Sequence, residues 1–151
     1  MAVATISATI EGSDALLDKI KNFRSDIQSI LDEGTIAAGE ILQKEMQYRA
    51  PRDTGGLAND ITVEREDTEG DLSSAVSVGP RTFPGARMRE YGGIIKAINA
   101  PYLVFQTKDG AWHKCKSVTQ PATPYIRPAV AAKRNEAVAK MKSLIRKGWG
   151  L

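Results

Sequence analysis

An α+β fold, with a long N-terminal helix and a C-terminal helix packed on a small antiparallel sheet with two hairpins, is predicted by three features of this 151-residue chain. Apolar residues recur three and four positions apart through most of the first fifty residues, the spacing that keeps one helix face apolar. Between residues 59 and 118 the period drops to two, in four stretches joined in pairs by turn-forming residues. A second helical stripe then runs toward the C-terminus behind a cluster of prolines.

Residues 3–10 alternate loosely, with Ile6, Ala8 and Ile10 on one side, and predict a short strand or arm within 1–12. Gly12-Ser13-Asp14 reads as a helix start, the Ser13 hydroxyl capping the first amides and Asp14 favoured at the positive end of the helix dipole. From there Leu16, Ile20, Phe23, Ile27, Ile30, Ala37 or Ala38, Ile41 and Met46 mark one helical face, giving a helix over 13–50. At 1.5 Å per residue it spans roughly 50 Å, longer than a compact domain of this size needs. Gly34 and Gly39 interrupt it at about 1 kcal/mol each relative to Ala, and mark a bend, a break or a close contact with a neighbour. Pro51 ends it by pushing Ala50 out of the α conformation.

A sheet is expected over 51–124. Ile61 and Val63 alternate with Thr62, Glu64 and Glu66 in one stretch (59–66), and Leu72, Val76 and Val78 share a face in the next (72–78), with a turn at 67–71 between them. Residues 79–101, rich in Gly, Pro and Arg, read as a long loop with a short helical turn at 86–91; loops this long in compact domains are functional or disordered. Stretches 102–107 and 111–118 form a second hairpin around Lys108-Asp109-Gly110. The prolines follow, then a helix over 125–147 whose stripe is Ile126, Val130, Ala137, Met141 and Leu144 or Ile145. Pro124 and Pro128 are tolerated because they sit in or beside its first turn. Gly148 stops the helix, and 148–151 is a small apolar tail. The length suits one domain able to bury roughly 68–70% of its unfolded surface. With aromatics at 6%, the core must rely on Ile, Leu, Val and Ala.

The charge is uneven: −3 over residues 1–50, 0 over 51–124 and +6 over 125–151. A basic C-terminal segment suits nucleic acid, anionic lipid or a solvated helix face that meets an acidic surface. A lone cysteine, Cys115, leaves no intrachain disulfide, and with the single His113 no cysteine-based zinc cage, so a reducing setting fits. The N-terminus lacks a basic n-region, so no signal peptide is expected, and no apolar run approaches the ~18 residues of a membrane span. No phosphate loop, nucleophile elbow or His-Glu-x-x-His stands in the chain, and no catalytic, metal or cofactor-binding residue is assigned. Arg81, Arg87 and Arg89 near Phe83 and Tyr91 could hold phosphates and stacked bases. Equally, those arginines could pair with the acidic run Glu64, Glu66, Asp67, Glu69, Asp71 of a neighbouring chain. The small net charge favours the second reading.

Four patterns stand in a particular order: Ala50-Pro51-Arg52-Asp53-Thr54-Gly55-Gly56-Leu57 after the long helix, Val76-Ser77-Val78-Gly79 closing a strand, Arg89-Glu90-Tyr91-Gly92 after the loop, and Thr123-Pro124-Tyr125-Ile126-Arg127-Pro128-Ala129 opening the last helix. Together, over about residues 15–147, they resemble the tail-component family of long-tailed bacteriophages, also called neck or tail-completion proteins. The resemblance implies a non-enzymatic α+β virion protein without cofactors, assembled in the host cytoplasm as a ring, often a hexamer, at the head–tail junction. Its implied partners are further copies of itself, the head connector or stopper and the tail tube or terminator, with DNA passing through the lumen and no membrane. Alternatives are a tail terminator ring capping the tube, and a small DNA-binding protein using the arginine loop and the basic helix. Pro51, Gly55, Gly92, Pro124 and Pro128 carry over as structural turns. Thr123 stands where the family often has an arginine, and can cap the helix instead. Arg89, Glu90, Tyr91, Trp112, Tyr125, Arg127 and Trp149 are the candidate subunit-interface residues, because aromatics and arginines commonly anchor interfaces. Arg127 is the candidate for an ion pair across subunits.

Overall fold

A computed structural model describes residues 13–52, 54–68, 72–107 and 109–150. The strand expected within 3–10 and the Ser13 hydroxyl cap lie outside the described part. In chain order the elements are α1 (Ser13–Arg49), α2 (Gly56–Asp60), β1 (Ile61–Glu66), β2 (Ala75–Pro80), α3 (Ala86–Tyr91), β3 (Gly93–Lys96), β4 (Leu103–Gln106), β5 (Trp112–Cys115), β6 (Ser117–Gln120) and α4 (Ile126–Gly148). The α+β class and both long helices are as the periodicity predicts.

The sheet differs from expectation in its pairing. β1 and β2 form the first hairpin, Ile61 opposite Pro80 and Glu66 opposite Ala75. β4 and β5 form the second, Leu103 opposite Cys115. The stretch expected as one strand over 111–118 divides at Lys116, and its second half, β6, pairs instead with β3, Gly93 opposite Gln120. The segment 79–101 is therefore no continuous loop: it holds the expected short helix and a strand. β3 is four residues long, and its partner lies more than twenty residues away, so no local alternation or turn announces it. Two smaller corrections follow from turns. Asn59 and Asp60 belong to the short helix α2 rather than the first strand. Leu72 sits before β2 with φ 55°, in the left-handed region, and does not share the strand face of Val76 and Val78.

α1 is one unbroken helix of 37 residues. Its two glycines mark close contacts on different faces. A Cβ on Gly34 would lie 3.2 Å from Ile145 Cγ1 and 3.4 Å from Met141 Cγ, both on α4. A Cβ on Gly39 would lie 2.9 Å from Val63 Cγ1 and 3.1 Å from Val76 Cγ2, on the first hairpin. Five residues at 100° each put these faces about 140° apart, so α1 is held between α4 on one side and the β1–β2 hairpin on the other. α4 runs antiparallel to α1. Its start at Ala129 packs with Met46 and Ala50, Met141 and Ile145 in its last turns reach Gly34, and its last residue, Gly148, closes on Ile30. The hairpin is fastened along α1 by polar bonds: Gln43 and Gln47 donate to the Ile61 carbonyl at 2.8 and 3.1 Å, Gln28 donates to the Ser73 carbonyl at 2.8 Å, and Asp32 pairs with Arg65.

The core cluster of Met46, Ala50, Leu57, Ile61, Tyr125 and Ala129 sits where the end of α1, the short α2 and the start of α4 meet. α1 outruns its partner. Because α4 ends against Ile30, Leu16, Leu17, Ile20 and Phe23 carry the apolar stripe on into solvent for about four further turns.

The two glycines should respond differently to a methyl group. At Gly39 the neighbours are β-branched valines fixed in strands, so Gly39→Ala should lose about 1–3 kcal/mol despite its better helix propensity. At Gly34 the contacts are longer, 3.2 Å to Ile145 Cγ1 and 3.4 Å to the Met141 Cγ and carbonyl oxygen, so Gly34→Ala should stay within about 1 kcal/mol of wild type, the propensity gain offsetting the contact. Urea unfolding of the two variants checks the order.

Candidate functional site

The proline-framed start of α4 is the most constrained point of the chain, and a distant carboxylate organises it. A helix leaves its first amides without partners inside the helix. Here Pro128 has no N–H, and the Ala129 amide reaches the Tyr125 carbonyl at 3.3 Å. The remaining amides, those of Tyr125, Ile126 and Arg127, all donate to the Glu90 carboxylate, at 2.7, 2.9 and 3.1 Å. No donor of the first turn is left over. The Arg127 guanidinium adds an Nε bond to the same carboxylate at 3.0 Å and a bond to the Glu90 carbonyl at 3.1 Å. Glu90 is 1% exposed. A lone carboxylate there would be costly, but the positive end of the helix and the guanidinium compensate it. Burial pushes its pKa up; the amides of Ile126, Tyr125 and Arg127 and the Arg127 side chain outweigh that, and the net direction is down from the ordinary 4.5.

The neighbours of Glu90 complete the junction. The Arg89 carbonyl accepts the Thr123 amide at 2.7 Å and its hydroxyl at 3.2 Å. Thr123 is thus tied to α3 and does not cap α4, contrary to the sequence expectation; the cap comes from Glu90, which is far away in sequence. The Tyr91 ring lies under the Arg127 guanidinium, 5.0 Å from centroid to Cζ. Gly92 takes φ 70° with ψ −179°, and a Cβ there would stand 2.9 Å from the Ala122 amide nitrogen. Only glycine lets the chain turn there with residues 120–122 passing so close.

Asp60 clamps the other side. Its carboxylate accepts the amides of Arg81 at 2.7 Å, Thr82 at 2.9 Å and Phe83 at 2.8 Å, and the Thr82 hydroxyl at 2.6 Å. The Thr82 hydroxyl, the Phe83 amide and the other backbone donors lower its pKa to about 2. Phe83 closes over Gly56, where a Cβ would come within 3.1 Å of its ring, and Gly55 takes φ 80° to start α2. Nothing in the local sequence marks Asp60, because its partners are more than twenty residues downstream.

The candidate interface residues fall into two groups. Glu90 and Tyr125, at 1% and 0% exposure, are interior residues of this chain, so their place is the helix junction rather than the surface. Arg127 makes an ion pair with Glu90 within the chain, and its side chain is 60% exposed. Arg89 is half-buried, and its carbonyl serves Thr123. Tyr91, Trp112 and Trp149 are exposed at 63, 70 and 51%. Pro51 stands two residues beyond the end of α1 at Arg49, Pro124 stands two residues before α4, and Pro128 is the third residue of α4. Arg81 is held by Thr62, Ser77 and Glu64, so the expected partner of the acidic run is found in the same chain.

Apolar side chains line two open grooves, one of which includes Trp149. Phe23, Ile27, Ile30 and Trp149 line a groove of about 500 Å³ where α1 outruns α4. At the β3–β6 and β4–β5 ribbons, Ile95, Leu103, Val104, Phe105 and Val118 line a groove of about 320 Å³, and Ile94, Ile98, Tyr102 and Trp112 are exposed elsewhere on these segments. The sequence showed the first groove as helix length, an apolar tail and the candidate Trp149, and gave no sign of the second groove's lining. Among the described residues no group of three or more His, Cys, Asp and Glu is placed to hold a metal ion, and no helix is long and apolar enough to cross a membrane.

Residues 14–92, just over half of the chain, match the family described as bacteriophage HK97-gp10, putative tail-component. The chain belongs to that family. It is therefore a phage tail component, a structural protein of the virion. No curated protein and no solved structure matches it. The matched span runs from the first turn of α1 to Gly92, and so takes in Asp60, Glu90 and the glycines that let this tail component close its junction.

Two predictions test the junction. Glu90→Ala, which strands the amides of Tyr125, Ile126 and Arg127 and the Arg127 guanidinium, should cost about 3–5 kcal/mol. Arg127→Ala, at a solvent-facing side chain, should cost about 1 kcal/mol. Because the folded Glu90 pKa lies below the unfolded one, its contribution is complete above pH ~4.5 and fades as the pH falls through the folded value. The gap between wild type and Glu90→Gln in urea melts should therefore narrow below pH ~4.5. Tyr125 tests the packing. Its buried hydroxyl has no hydrogen-bond partner among the described residues, and burial followed by the charges of Glu90 and Asp60 pushes its pKa up to about 12. Tyr125→Phe should then match or exceed wild-type stability, whereas Tyr125→Ala should lose about 3–5 kcal/mol in the same assay.

Proposed function

We propose that this tail component is a ring-forming subunit at the head–tail junction, completing the tail and joining it to the head connector. The observation that carries this reading is apolar surface left open in two separate parts of one chain: Leu16, Leu17, Ile20 and Phe23 with Trp149 where α1 outruns α4, and Ile95, Leu103, Val104, Phe105 and Val118 lining a groove at the two small ribbons. Monomeric proteins rarely leave such patches uncovered. Two different patches suit head-to-tail contacts between copies, which close into a ring when the rotation closes. A hexamer is the ring size the family resemblance implies, with the connector or stopper above and the tube or terminator below. The rigid junction supports this role, since it fixes the angle between α4 and the body without any catalytic group.

Deleting the gene should leave filled heads and finished tails that do not join, seen by electron microscopy of the lysate. Tails of irregular length with open ends would instead assign the chain to the tail terminator. Normal infectious particles would overturn both. A DNA-binding role has less support now that Arg81 is bound within the chain, and it predicts retention on DNA that weakens steeply with salt.

A further inference from the structure

The two flanks of α1 carry opposite charge at the same height. On one flank, the last two turns of α4 present Lys142, Arg146 and Lys147, which line a shallow cleft of about 600 Å³ with Ala139 and Ser143. All three cations are exposed, and none makes an ion pair among the described residues. On the other flank, the far end of the β1–β2 hairpin presents Glu64, Glu66 and Asp67 to solvent, of which among the described residues only Glu64 has an ion-pair partner, Arg81 at 3.2 Å. The heights agree because both ends are fastened to the same stretch of α1. Gly148 packs on Ile30 and Ile145 on Gly34, while Ser73 is bonded by Gln28 and Arg65 pairs with Asp32. The flanks face in directions about 140° apart around the helix.

We infer that the Lys142, Arg146 and Lys147 face of one copy docks on the Glu64, Glu66 and Asp67 face of a second copy of this chain. The inference rests on the ring reading above and names the contact that would close it. A rotation about an axis parallel to α1 brings α4 of one protomer beside the hairpin of the next without any shift along the axis. Closed rings need that property, since a shift would give a helical filament. The charges favour this partner and orientation, because like faces repel and the α4-to-hairpin approach pairs opposite signs.

A charge exchange tests it. Lys142→Glu with Arg146→Glu forms one variant, Glu66→Lys with Asp67→Lys a second, and all four changes together a third. The mass of the assembled species is read by light scattering and native mass spectrometry, with thermal melting of each variant as the fold control. Each reversed pair should weaken self-association by about tenfold or more, and the fourfold exchange should bring it back toward wild type. Added salt should weaken wild-type assembly. Should a reversed variant melt early, Lys142→Gln with Arg146→Gln and Glu66→Gln with Asp67→Gln repeat the comparison without repulsion. Reversed variants that assemble like wild type, or a fourfold exchange that restores nothing, overturn this contact and leave the ring standing. Loss of DNA retention by the Lys142→Glu, Arg146→Glu variant with assembly intact assigns the basic face to nucleic acid and overturns it as well. A wild-type protein that stays monomeric at every concentration, with and without the connector, overturns the ring and the contact together.

Discussion

The buried carboxylate of Glu90 at the start of α4 is the interaction on which the rest of the structure depends. It supplies acceptors for every amide of the first turn that Pro128 and the helix ladder leave open, and it binds the arginine two residues inside the helix. The carboxylate is tolerable in the core only because that helix end surrounds it with donors, and the helix end is satisfied only because the carboxylate is there. Each is thus a condition for the other. Through this bond the short helix α3, the turn at Gly92 and the last 23-residue helix behave as one piece.

From that junction the geometry propagates along α1. Tyr125 and Ala129 meet Met46, Ala50 and Leu57 at one end, which sets where α4 begins. The small residues then set how close it lies, with Gly34 opposite Met141 and Ile145 and Gly148 opposite Ile30. Gly39 does the same for the hairpin on the other flank. The outcome is a body three elements across, hairpin, α1 and α4, with α1 at its centre. This arrangement explains why a helix can hold two interior glycines without breaking: the propensity lost at each is offset by approach of a neighbour that a Cβ would block.

Structural proteins of assemblies divide their apolar surface between a core and their contacts with other chains. Here the core is compact and confined to one end, while large apolar side chains remain outside on the overhang of α1 and on the two small ribbons. Membership in a phage tail-component family gives that exposed surface a natural context.

Some of this is set locally and some is not. The two long helices, the hairpin turns and the stop at Pro51 follow from periodicity and turn chemistry, which act over a few residues and are therefore readable in the chain. The motifs likewise pointed to the family, three of the four lying within its matched span and the Thr123–Ala129 motif outside it. What those motifs do was decided by the fold. Glu90 and Arg127, read as surface anchors, are separated by 36 intervening residues and become a pair, its carboxylate buried and its guanidinium facing solvent, only when α3 is brought against α4. Asp60 has no local signal because its donors are the amides of Arg81, Thr82 and Phe83. β3 is too short to show a period, and its partner is contributed by a strand that leaves its own hairpin at Lys116. By itself the sequence determined the elements, the uneven charge and the family. Tertiary structure decided which charged groups are buried, which glycines are contacts and which apolar faces stay open, because each of those depends on distances between segments that no local pattern records.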